Sequence, residues 1–214
     1  DREIAIGTQN YIPGQQSQGG PYMASPQLVK YVQAVGHRLA TVSDRPNLPY
    51  EFTILNNSVP NAWAMPGGKI AINRGLLTEL SSEGELAAVL GHEIVHSAAR
   101  HSAKAIERAM LLQAGMIATA YAAEGHRDAV WAVAGANVAG QMTQLTYSRG
   151  AERESDLYGT RYMVRAGYDP KSAIALQETF LRLKNGKRAG LFDKFFSSHP
   201  PSEERIRNNK DTVS

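Results

Sequence analysis

Apolar residues recur at helical spacing in several stretches of the chain. Leu28, Val32, Val35 and Leu39 mark one face of a segment from Pro26 to about Ser43, and Ser25-Pro26 supplies its N-cap and first helical position. Leu86, Val89, Leu90 and Val95 form a second stripe behind a Ser82–Glu85 capping box, which predicts a helix from about Ser82 to beyond Arg100. A third helix opens at Ser148-Arg149 and runs to about Gly167. Asp169-Pro170 starts a fourth, reaching about Lys184 with Ile174, Leu176, Phe180 and Leu183 inward, and Gly186 ends it. Tyr50 to Leu55 and Lys69 to Ile72 are short and β-favouring, separated by a turn-rich stretch, and predict a small sheet beside the second helix. Residues 1–24, rich in Gly, Gln and Pro, read as an extended N-terminal arm, which leaves 25–214 as one domain. The pattern is that of an α+β protein, mainly helical.

Residues 109–123 and 129–142 are rich in Ala, Met and Gly and interrupted by Glu124-Gly125-His126-Arg127-Asp128. Neither reaches the roughly 20 apolar residues that span a bilayer, so they read as a helical hairpin with His126 as a turn residue at its tip. A length of 214 residues with 43% hydrophobic composition is enough for a sizeable core. The net charge of +3 is spread among interspersed acids and bases, without the basic stripe that binds nucleic acid. The absence of cysteine excludes disulfides and thiolate metal sites and leaves the compartment open. The opening Asp1-Arg2-Glu3 lacks a charged region followed by an apolar core, so no signal peptide is expected within the chain as given.

The chemistry concentrates at His92-Glu93-Ile94-Val95-His96. On a helix its two histidines lie about 40° apart, so both imidazoles reach one ion, most naturally a single Zn2+. Glu93 lies about 100° from His92, at the edge of that face, where a carboxylate can deprotonate water. A third ligand at the metzincin spacing would need glycine and histidine at positions 99 and 102, where Ala99 and Ser102 stand. His101 on a continuing helix would point about 140° away from His96. Glu152 and Asp156 share a helix face, which permits Glu152 to bind the ion while Asp156 accepts the second ring N–H of a ligand histidine. Acidic residues in a first turn also serve the helix dipole, and spacing alone leaves both readings open. Glu154, about 200° from Glu152, is expected to face outward. His37 reads as a packing residue, and His199 taken alone as a capping or surface one.

Four blocks in order carry a family likeness: Asn61-Ala62-Trp63-Ala64-Met65-Pro66-Gly67-Gly68-Lys69-Ile70, the H-E-I-V-H pentad, Ser148-Arg149 with Glu152 and Asp156, and Ser198-His199-Pro200-Pro201 with Arg205. The chain resembles the HtpX-like gluzincin metallopeptidases, the family of the BepA- and LoiP-like proteases, with Ser155 where the family often has alanine. The resemblance implies a zincin-like domain whose small sheet borders the active-site cleft with an edge strand. Lys69 to Ile72 is then the exposed strand that pairs with an extended substrate, rather than a core strand behind a hairpin turn, and Asn61, Ala62, Trp63, Ala64 and Met65 line the cleft. It further implies zinc held by His92, His96 and Glu152, Asp156 supporting a ligand, and Glu93 as general base. His199 is implied as a fourth ligand at rest or a donor to the oxyanion, and Arg205 as the other oxyanion candidate. The activity implied is hydrolysis of unfolded or misfolded polypeptides in the periplasm or cell envelope, by a protein that is tethered or associated with the membrane surface or an envelope complex, in an oligomeric state left open. In membrane relatives the region of the 109–142 hairpin holds membrane helices; here it would pack on the core, form a dimer contact or lie against lipid. Two other functions stay in view: a binding or assembly factor with a closed zinc site, and a zinc amidase of cell-wall peptides.

Overall fold

Local capping decides where the helices begin. Ser25 Oγ accepts the Leu28 N–H, Ser82 Oγ accepts the Glu85 N–H and Ser148 Oγ accepts the Ala151 N–H, each at the head of a helix expected from sequence. The computed structural model describes residues 2–124 and 141–213. In chain order it holds α1 (Arg2–Ser17), α2 (Pro26–Ala40), β1 (Glu51–Leu55), β2 (Ala62–Met65), β3 (Lys69–Asn73), α3 (Arg74–Leu77), α4 (Glu83–Ala98) and α5 (His101–Glu124). After the undescribed residues come α6 (Arg149–Arg165), α7 (Lys171–Lys184), a 3-10 turn (Ala189–Phe192), α8 (Asp193–Ser198) and α9 (Glu203–Val213). The protein is α+β and mainly helical.

The sheet is mixed, in the order β1-β3-β2. β1 runs parallel to β3, while β2 runs antiparallel to it with Ala62 opposite Ile72 and Met65 opposite Lys69. Lys69–Asn73 is therefore the central strand, correcting the expectation that it forms the exposed edge; Ala62–Met65 occupies the position beside it. Side chains alternate between two cores, as strand geometry requires. Ile54, Ala62, Ala64, Ile70 and Ile72 join the main core with Leu39, Leu90, Ile94, Tyr162, Phe180 and Phe192. Leu55, Trp63, Met65 and Ala71 face a smaller cluster with Tyr11, Ile106 and Met142. α4 runs through the main core against α2, α6, α7 and the sheet, which explains why nearly its whole length is buried. His37 stands edge-on to Phe52 as a packing residue.

Two further expectations are corrected. The N-terminal segment is a helix over Arg2–Ser17, not an extended arm, despite its glycines and Pro13. Tertiary contact overrides weak propensity here. Tyr11 donates to the Ile70 carbonyl at 2.6 Å and sits edge-on to Trp63, and at Gly7 a Cβ would fall 1.9 Å from Pro66 O, so only glycine lets α1 lie this close to the sheet. The pentad helix stops at Ala98 instead of passing Arg100; Arg100 takes φ +60°, and the chain restarts as α5 at His101.

α5 contains the first arm of the expected 109–142 hairpin. Its tip at His126 and all but the last two residues of its second arm lie outside the described residues. Among the described residues no helix is long and apolar enough to cross a membrane.

Candidate metal centre

The site depends on how closely α4 and α6 cross. A Cβ on Gly159 would stand 3.0 Å from His92 N, and one on Gly91 would stand 3.1 Å from Gly159 O. Two glycines thus allow backbone-to-backbone approach at the very start of the pentad, and α6 delivers Glu152 and Asp156 to the histidines. His199 follows α8, and Arg205 comes from the first turn of α9.

Four donors converge: His92, His96, Glu152 and His199, all buried, with ligand atoms within 4.8 Å of one another. His92 Nε2 lies 3.0 Å from His96 Nε2, 3.4 Å from Glu152 Oε2 and 3.3 Å from His199 Nδ1. Glu152 Oε1 lies 3.2 Å from His96 Nε2 and 3.0 Å from His199 Nδ1. A tetrahedral zinc ion with bonds of about 2.0–2.2 Å holds its ligand atoms roughly 3.3 Å apart, so the set matches the ion in both donor type and size. Glu93 sits beside it, Oε1 3.4 Å from His199 Nε2, while its buried Oε2 has no hydrogen-bond partner among the described residues. That orphaned oxygen is where a base needs a free lone pair.

A model of peptidase family M48 matches residues 26–213. The chain belongs to peptidase family M48. Curated relatives include the putative beta-barrel assembly-enhancing protease of Vibrio cholerae, 32% identical over 200 residues, covering 89% of this chain and 40% of that protein. The beta-barrel assembly-enhancing protease of Yersinia pestis is 30% identical, covering 80% of this chain and 36% of that protein. The mitochondrial metalloendopeptidase OMA1 of Schizosaccharomyces pombe is 32% identical, with coverages of 83% and 50%. The chain spans half or less of the length of these relatives.

In this M48 chain each paired histidine leans on a partner at its second nitrogen. Asp156 Oδ1 lies 3.0 Å from His92 Nδ1, and Arg205 clamps Asp156 with two bonds of 2.7 Å. The remaining Arg205 nitrogen donates to Pro200 O at 3.1 Å and lies 3.1 Å from Glu152 Oε2. The guanidinium is thus aimed at the two carboxylates, behind the donor set. His96 Nδ1 meets His101 Nδ1 at 3.2 Å, and His101 Nε2 meets Glu154 Oε2 at 3.1 Å. The expectation that His101 points away is corrected, because the break at Arg100 re-aims His101 and brings it against α6, where Glu154, exposed as expected, meets its outer nitrogen. Tyr147 also escaped the sequence reading: it stacks on His96 with ring centroids 3.7 Å apart and planes 20° apart. Its only signal was its place just before Ser148-Arg149.

Burial and charge act against each other throughout the centre. Burial alone would depress His92, but Glu152 and Asp156 outweigh it and lift its pKa to about 10. Burial wins at His96, which falls well below the usual histidine range. Burial also raises Glu93, in spite of His199 and His92 nearby, and a raised carboxylate is the stronger base. Glu152 is held well below the carboxylate range against its burial, by His199 and His92, and Asp156 is lowered in the same way by Arg205.

The segment expected to line the cleft is buried from Asn61 to Met65. The Ala64 carbonyl accepts from Ser102 Oγ at 2.7 Å and lies 3.4 Å from Tyr147 OH, and the Met65 carbonyl accepts from Ser97 Oγ. β2 therefore borders the metal centre through its backbone and Tyr147, while Trp63 and Met65 turn into the smaller core.

Proposed function

We propose that the chain is a zinc-dependent endopeptidase that cleaves extended polypeptides. The convergence of His92, His96 and Glu152, with the free oxygen of Glu93 alongside, carries this reading. Zinc at these three residues supplies Lewis acidity and makes water acidic near neutral pH. Glu93 takes the proton of the attacking water as its oxygen bonds to the scissile carbonyl carbon, then passes that proton to the amine as the C–N bond breaks. Asp156, clamped by Arg205, keeps His92 in the tautomer whose Nε2 lone pair faces the site. Arg205 thereby serves as a buttress rather than an oxyanion contact, its donors being directed at Asp156, Glu152 and Pro200.

His199 reads as the fourth donor of a closed resting site. Its Nδ1 lies among the ligands and its Nε2 beside Glu93, where substrate must enter, so a bound peptide displaces it and leaves its N–H available to the oxyanion. The substrate pairs with the outer edge of β2, with Asn61 to Met65 as its backbone partner, once the Ser102 and Tyr147 hydroxyls yield the Ala64 carbonyl. Relatives named for beta-barrel assembly support unfolded envelope proteins as substrates and an envelope or periplasmic site of action. His199 in the fourth position also favours a second reading, an assembly factor whose zinc site stays closed.

Casein digestion by zinc-loaded protein, with and without chelator, separates the readings. Chelator-sensitive cleavage is expected, and Glu93→Gln should retain one zinc per chain while turnover falls by about 10²–10⁴-fold. Undiminished turnover in that variant overturns the mechanism. Intact casein with release of cell-wall stem-peptide fragments would point to an amidase.

A further inference from the structure

We propose that His101 and Glu154 are positioning residues that fix the tautomer and orientation of His96, so that metal retention depends on both. This rests on reading His92, His96 and Glu152 as zinc ligands.

With the Nε2 lone pair of His96 given to zinc, the contacts admit one consistent placement of protons. Glu154 Oε2, a carboxylate oxygen, accepts from His101 Nε2–H at 3.1 Å. A neutral His101 then presents a bare Nδ1, which accepts the Nδ1–H of His96 across 3.2 Å. His96 is left with its lone pair on Nε2, the atom that stands 3.0 Å from His92 Nε2 and 3.2 Å from Glu152 Oε1. Ser155 Oγ, 3.5 Å from His101 Nδ1, closes the side of the imidazole. The two ligand histidines are thus supported by different devices. His92 meets a carboxylate directly; His96 meets one through an intervening ring.

The backbone at this point is unusual for a segment with no such role. Arg100 carries a side chain at φ +60°, a conformation that favours glycine or asparagine and persists only where the surroundings require it. A continuous helix would carry His101 away from His96. The break returns it, buried, to the ring it supports.

The test follows zinc transfer from the loaded chain to a chromophoric chelator, the visible spectrum of the cobalt-substituted protein, and the melting temperature of the metal-free form. His101→Phe keeps the ring shape but removes the acceptor, and is expected to release zinc about 10–100-fold more readily. His101→Gln, whose amide oxygen can accept the His96 N–H, should recover most of that loss and restore the cobalt spectrum. Glu154→Leu alters a side chain that is 47% exposed, so the fold survives, and should release zinc at an intermediate rate. Release within twofold of wild type for both His101→Phe and Glu154→Leu overturns the proposal; if His101→Phe does not fold, Glu154→Leu decides alone. A drop in metal-free melting temperature with no change in zinc release or cobalt spectrum also overturns it, leaving His101 as packing. Wild-type chain that takes up no zinc at all removes the metallopeptidase reading itself, a separate result.

Discussion

His92 shows how far a single side chain can be moved by its neighbours. Its pKa stands near 10 in the folded protein against 6.5 for an unperturbed histidine, because Glu152 and Asp156 outweigh burial. A folded-state pKa that is raised stabilises the protein fully below the unfolded value and loses that contribution as pH climbs through the folded one. Metal-free protein is therefore expected to melt at falling temperature as pH rises from about 6.5 to about 10, a window set by that shift. Zinc at the proposed site would take the place of the same proton, so loaded protein should lack this component while zinc affinity weakens as pH falls. Melting curves of chelator-treated and loaded protein across this range check the sign; parallel curves would be inconsistent with it. At this scale the sequence was most informative for residues inside one helix. The pairing of His92 with His96, and of Glu152 with Asp156, follows from helical pitch alone.

Among elements, the α4–α6 crossing controls the centre, since Gly91 and Gly159 are what bring one helix backbone onto the other. Gly159→Ala should cost about 1–3 kcal/mol, as overpacking does, and weaken zinc retention because Glu152 and Asp156 ride on the displaced helix. Gly115→Ala on α5 meets no heavy atom within 4 Å of the added Cβ among the described residues outside its own helical turn, and should be neutral or stabilising by roughly 0.5–1 kcal/mol. Denaturant titration of both variants with zinc release measured alongside checks the contrast; equal behaviour would mean the crossing tolerates separation. The heads of these helices were legible because Ser25, Ser82 and Ser148 satisfy their own first turns. The end of α4 was not legible. Ala99-Arg100 has none of the glycine or asparagine that marks a left-handed terminus, so nothing local announces the break.

Across the whole molecule the sheet is held between α4 on one side and α1 on the other, and Tyr11 ties α1 down through its bond to the Ile70 carbonyl. Tyr11→Phe leaves that buried carbonyl without this donor and should cost about 1–3 kcal/mol, lowering the denaturant midpoint with zinc content unchanged. An unaltered midpoint would show that α1 docks by apolar contact alone. Residues 2–17 would not form a helix on propensity, with Pro13 and two glycines among them; the sheet surface makes them one. Four separated blocks carried the family likeness, and the sequence by itself determined the helix heads and the residues that share a helix face. Those features depend on contacts within about one turn of helix, where geometry is nearly independent of the rest of the chain. Tertiary structure alone decided that Ala62–Met65 forms the outer strand, that α1 is a helix, and that Arg100 turns His101 back onto His96. Each of those requires a local conformation that the segment would not adopt in isolation, and it is stable only because distant parts of the chain pack against it.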